Sequence, residues 1–134
     1  MMLEPDERHF DEKKMKEILG DKDDYFIAAI NDGEIIGFLS AQRGKYKRIR
    51  HFAYIVIGIM QEFQKQGIGS KLFDKLEEWA KENHLKRLEL TVEVSNTIAI
   101  NLYKRKGFVI EGNKKNTMFV DGVFVDEYMM AKVY

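Results

Sequence analysis

The chain has 134 residues, with 22 Lys and Arg against 22 Asp and Glu, three His, one Pro and no Cys. That length suits one domain around one core, and an apolar share of 45% with 12% aromatics lies well away from the composition of disordered chains. Zero formal charge argues against a dedicated polyanion binder, and the lack of Cys excludes disulfides, thiolate metal sites and a cysteine nucleophile.

No apolar run approaches the length of a membrane span, and the first ten residues, MMLEPDERHF, lack the basic-then-apolar signal pattern. A single domain over residues 1–134, cytoplasmic and without metal, is the expectation. In chain order, residues 11–19 read as a short helix that is acidic at its start and closed by Gly20. Residues 24–30 and 35–42 read as two strands around Asp32-Gly33, a strong hairpin signal. Arg43, Lys45, Lys47, Arg48 and Arg50 follow as a basic connection. It reads first as a solvated strand connection, with nucleic-acid contact or steering of an anionic ligand as alternatives. Residues 51–59 are apolar on both faces, which predicts a strand in the sheet centre.

Ile68, Leu72, Leu76, Trp79 and Ala80 recur at helical spacing, so residues 67–83 read as a helix. Residues 86–94 alternate as a strand. Asn96 then caps a second helix that runs to about Lys106 and ends at Gly107. FVIEG (residues 108–112) and residues 117–134 read as two or three closing strands with a turn at Val120-Asp121-Gly122. The strand–helix–strand run over 51–94 should form a right-handed crossover with a parallel pair, between antiparallel hairpins. The expected fold class is therefore a mixed α/β (α+β) sheet with helices packed on it.

The turn Gln64-Lys65-Gln66-Gly67-Ile68-Gly69-Ser70 places unpaired N–H groups at a helix N-terminus, where two glycines allow close approach by an anion such as a pyrophosphate. The Walker pattern is absent, and the third glycine of a Rossmann fingerprint is replaced by Leu72. A tight helix start against the sheet explains the two glycines equally well. In the second helix, Asn96, Ala99, Ile100 and Tyr103 share one face, so an amide and a phenol two turns apart can address one extended ligand. The plainer roles are an N-cap for Asn96 and a core aromatic for Tyr103.

With both segments in view, the chain resembles the GNAT superfamily of acyl-CoA-dependent N-acetyltransferases. The family's Q/R-x-x-G-x-G/A motif is met by Gln64, Gly67 and Gly69. Its second signature, N-x-x-A-x-x-L-Y-x-x-x-G-F, is met by Asn96, Ala99, Leu102, Tyr103, Gly107 and Phe108. The resemblance implies acetyl-CoA as cosubstrate and an amine acceptor, with dimers common among the members. It implies a bulge at Ile57-Gly58-Ile59 in a strand that splays from its neighbour, with the pantetheine in the gap. The pyrophosphate would rest on amides from Gln64 to Ser70, Asn96 would bind the pantetheine, and Tyr103 would protonate the departing thiolate. His51, Tyr54 and Glu93 are candidates for a base. A CoA-binding module without turnover is the alternative reading.

Members of the family usually begin with a strand and a helix ahead of the segment matching residues 11–19. By that comparison both are missing here. The shortness then implies an open acceptor site, a partner subunit over it, or a gene start upstream of Met1-Met2.

Overall fold

The computed structural model describes residues 8–12 and 23–134. Seven strands form one sheet: β1 (Arg8–Asp11), β2 (Tyr25–Asn31), β3 (Glu34–Arg43), β4 (Phe52–Ile59), β5 (Arg87–Glu93), β6 (Val109–Val120) and β7 (Val123–Val133). Their spatial order is β1-β2-β3-β4-β5-β7-β6. Among the described residues only the β4–β5 pair is parallel. Two α-helices, α1 (Ile68–Glu82) and α2 (Thr97–Arg105), and two single-turn 3-10 helices (Lys47–Ile49 and Gln61–Phe63) complete the fold among the described residues.

The turn chemistry follows the sequence closely. Asp32-Gly33 and Asp121-Gly122 both have positive φ at the two central positions, the geometry that closes a two-residue hairpin without splaying its strands. Gly107 stands at φ +97 just past α2, where a side chain would be strained. The closing segment is one long hairpin: residues 113–116, which the sequence leaves between strands, belong to β6. That ladder carries two register shifts, at Ile110/Gly112 and at Lys114/Met118, and its tip leaves Phe119 and Phe124 about 60% exposed.

Both helices lie on one face, because a single buried cluster joins Leu72, Phe73 and Leu76 of α1 and Ile100 and Tyr103 of α2 to Leu88, Leu90 and Met130 of the sheet. Trp79 is only partly buried and stacks on Tyr25 of β2, with ring centroids 5.3 Å apart. Arg87 donates to Glu89 Oε1 on its own strand at 2.9 Å and reaches across β7 to both carboxylate oxygens of Glu111 on β6.

Two expectations need correction. The first strand is present: β1 pairs antiparallel with β2, from Arg8↔Asn31 to Asp11↔Ala28. Its sequence, RHFD, has no apolar alternation; Phe10 packs against the core, and the strand is defined by its pairing with β2. Asp11 thus closes a strand, and the rest of the helix expected over residues 11–19, Glu12 apart, lies outside the described residues. Second, no bulge occurs at Ile57-Gly58-Ile59, since β3 and β4 keep one register from Gly37↔Ile59 to Arg43↔Ala53. The bulge lies in the β2–β3 ladder, where the shift between Ala29 and Ile30 leaves Ile36 unopposed. Gly58 has a different reason to be glycine: a Cβ there would stand 2.7 Å from the Phe38 ring.

Leu88 is fully buried at the middle of this core. Leu88→Ala should lower unfolding free energy by about 2–5 kcal/mol, read as a lower urea midpoint at unchanged slope.

Candidate active site

The parallel ladder between β4 and β5 is short. It runs from Phe52↔Arg87 through Ala53↔Leu88 to Tyr54↔Glu89 and stops, although both strands continue. Gly44 N donates to Phe52 O and Met60 N donates to Ile36 O, so the even-numbered residues of β4 turn their peptide groups toward β3. By alternation, Ile57 and Ile59 turn theirs toward the gap where β5 has moved away. Gln64 Nε2 donates to Ile59 O at 3.3 Å, which ties the loop after β4 to this gap.

That loop leads into α1 through an unusual start. Lys65 has φ +64, and Gly67, the N-cap, has φ +80 and supplies no side-chain cap. The N–H groups of Ile68, Gly69 and Ser70 therefore have no intrahelical acceptor and no capping side chain. Gly69 serves packing as well: a Cβ there would lie 2.8 Å from Leu102 of α2 and 3.2 Å from Ile59 of β4. The helix dipole and these free donors favour an anion at this end.

Helix α2 forms the other wall. Asn96 caps it by accepting from Ala99 N through Oδ1 at 3.2 Å, which leaves the amide nitrogen for another partner. Tyr103 is buried at 7% exposure, in edge contact with Phe73 and tilted against Phe108. Burial pushes its phenol up from the ordinary value to about 12, so it stays protonated at neutral pH.

A cleft of about 220 Å³ brings these pieces together. Ile57, Gly58, Ile59, Gln64, Lys65, Gly67, Ile68, Gly69, Ser70, Asn96 and Tyr103 all line it. Gln66 does not; its Nε2 donates to Glu62 O at 3.2 Å. Phe63, Ile98, Ala99, Leu102 and Arg105 also line the cleft. Ile98, Leu102 and Arg105 sit at i, i+4 and i+7, a stripe beside that of Asn96 and Tyr103, so helical spacing carried their signal too.

The base candidates separate. His51 stands ahead of β4, at the end away from the gap, where its carbonyl accepts from Lys86 N and Arg87 N. Tyr54, the last paired residue of β4, and Thr91, two residues past the last pair on β5, hydrogen-bond through Tyr54 OH and Thr91 Oγ1 at 2.8 Å. Glu93 ends β5 and accepts from Ser95 Oγ at 3.1 Å. The basic connection lies at the same far end as His51. Arg43 donates to Arg50 O, Lys45 pairs with Asp24 at 3.2 Å, and Arg50 faces Asp23 at 3.8 Å. Several of its charges thus anchor the connection itself, and its position does not serve the cleft mouth.

Comparison with known proteins points the same way. The sequence model of the acetyltransferase (GNAT) family matches residues 2–108. The chain is 36% identical over 109 residues to L-amino acid N-acetyltransferase AaaT of Escherichia coli (strain K12), covering 80% of this chain and 67% of that one. It is 29% identical to N-alpha-acetyltransferase 60 of Xenopus tropicalis, over 84% of this chain and 54% of that one. A crystal structure of a GNAT-family acetyltransferase from Streptococcus pneumoniae superposes with a TM-score of 0.81 at 30% identity, covering 90% of this chain and 72% of that one. The chain belongs to the acetyltransferase (GNAT) family, and with it to the acetyl-CoA-dependent N-acetyltransferases.

Proposed function

We propose that this protein transfers an acetyl group from acetyl-CoA to a primary amine by direct attack through a tetrahedral intermediate. The observation that carries the reading is the union, in one cleft, of an uncapped helix start, an unpaired stretch of strand edge and a buried neutral phenol. Each suits a different part of the cosubstrate: the diphosphate, the amide-bearing arm and the thiol leaving group.

The N–H groups at the start of α1 would hold the diphosphate, with Gly67 and Gly69 keeping side chains out of its way. The gap-facing peptide groups of Ile57 and Ile59 would pair with the arm's amides as a missing strand would. An N–H there would also stabilise charge developing on the thioester oxygen. Asn96 would donate from its free amide nitrogen, its oxygen being held by Ala99 N. Tyr103 would donate the proton that the leaving thiolate needs, a role its raised pKa keeps available at neutral pH. The names of the two relatives make free amino acids and peptide α-amino groups the acceptors to test first.

Thiol release from acetyl-CoA across a panel of such amines tests the assignment. Tyr103→Phe should lower kcat by on the order of 100-fold while acetyl-CoA still binds. Saturable binding with no turnover on any amine would instead favour a CoA-binding module. Gly67→Val forces a branched side chain into φ +80 and should weaken CoA binding at least about tenfold by titration calorimetry, with the fold retained by circular dichroism. Because Tyr103 loses its proton only near pH 12, kcat/KM should rise with amine deprotonation and show no descending limb between about pH 7 and about pH 10.

A further inference from the structure

The slot between β4 and β5 is open at one end and shut at the other. The open end faces the start of α1, through Ile59 and Gln64. The shut end is the vertex where backbone pairing resumes at Tyr54↔Glu89. A molecule anchored by its phosphates at α1 and extended along β4 therefore presents its far end, the acyl group, to that vertex.

Two features close the vertex. On the helix face, Ile55 and Leu90 are each 2% exposed and fill the space beneath it. On the opposite face, Tyr54 OH and Thr91 Oγ1 meet at 2.8 Å, a side-chain clasp between strands whose backbones have just parted. Thr91 lies two residues beyond the last paired position on β5, so the tyrosine reaches forward across the gap to make this contact.

We propose that the Tyr54–Thr91 clasp is the acyl-length stop of the slot and restricts the transferred group to acetyl. The proposal rests on the acetyl-CoA reading above. Any acyl group long enough to reach the vertex presses methylenes against two hydroxyls. It must then break their hydrogen bond or leave a partly buried polar pair against apolar surface, and both are unfavourable. Tyr54 and Thr91 act here as positioning residues that set the depth of the slot.

Wild-type protein, Tyr54→Phe, Thr91→Ala and Thr91→Ser are compared for binding of CoA, acetyl-CoA and butyryl-CoA by titration calorimetry. Thiol release from the two acyl-CoAs is measured alongside. The expected result is a wild-type preference for acetyl over butyryl of at least about tenfold. In Tyr54→Phe and Thr91→Ala that preference falls by about tenfold, the change expected when one partly buried hydrogen bond is given up. Thr91→Ser, which keeps the hydroxyl, retains the preference for acetyl more fully than Thr91→Ala. A general loss of stability would move both acyl-CoAs together and leave the ratio unchanged. A wild type that takes butyryl as readily as acetyl, or a ratio that Tyr54→Phe and Thr91→Ala leave unchanged, overturns the proposal. CoA binding without acyl discrimination overturns this proposal alone; failure of CoA itself to bind the wild type overturns the acetyl-CoA reading and this one with it.

Discussion

Three paired residues hold β4 to β5, and the site depends on that ladder stopping there. A parallel pair in a sheet centre normally satisfies its peptide groups along its whole length. Here β3 keeps full contact with β4, and β7 keeps full contact with β5, so neither strand can collapse across the gap. The sheet is thus two well-bonded halves joined by a short seam. Gln64 already donates to Ile59 O, and the other gap-facing peptide groups of β4 past the seam are held in place where an external partner can reach them.

The rest of the molecule fixes the walls of that opening. Gly37 and Gly58 let β3 and β4 pack closely, the first against Ile59 and Ile68 and the second under the Phe38 ring. Gly69 brings α1 against Leu102, so the two helices approach each other directly over the gap. Phe73 and Phe108 surround the Tyr103 ring, and Phe108 N donates to Tyr103 O at 3.0 Å, which fastens the end of α2 to the turn at Gly107. The phenol is therefore positioned by Phe73 and Phe108 at the cleft wall, and its burial keeps it neutral. The two helix starts are complementary: α2 is capped by its own Asn96, whereas α1 is left without a side-chain cap beside the gap.

Most of the fold was legible because local rules and tertiary packing agree. The hairpins at Asp32-Gly33 and Asp121-Gly122, the stripe of α1 and the cap at Asn96 all carry their own short-range signals. Helical spacing likewise made it legible that Asn96 and Tyr103 share one face of α2, and both line the cleft. What local sequence did not reveal depends on neighbours distant in the chain. The strand at Arg8–Asp11 is defined by β2, the need for glycine at position 58 comes from Phe38, and Gln66 turns away to Glu62. The Tyr54–Thr91 contact joins residues 37 apart in sequence, beyond the reach of any periodicity.

The hairpin of β6 and β7 has one more consequence. Its two register shifts leave Glu111 unopposed and set residues 115–117 against a single position of β7. A foreign strand laid along β6 would meet donors and acceptors out of step at both places. The β6 margin thus resists open-ended growth because its irregular register cannot template an incoming chain, so the backbone hunger of the interior gap is not repeated along it.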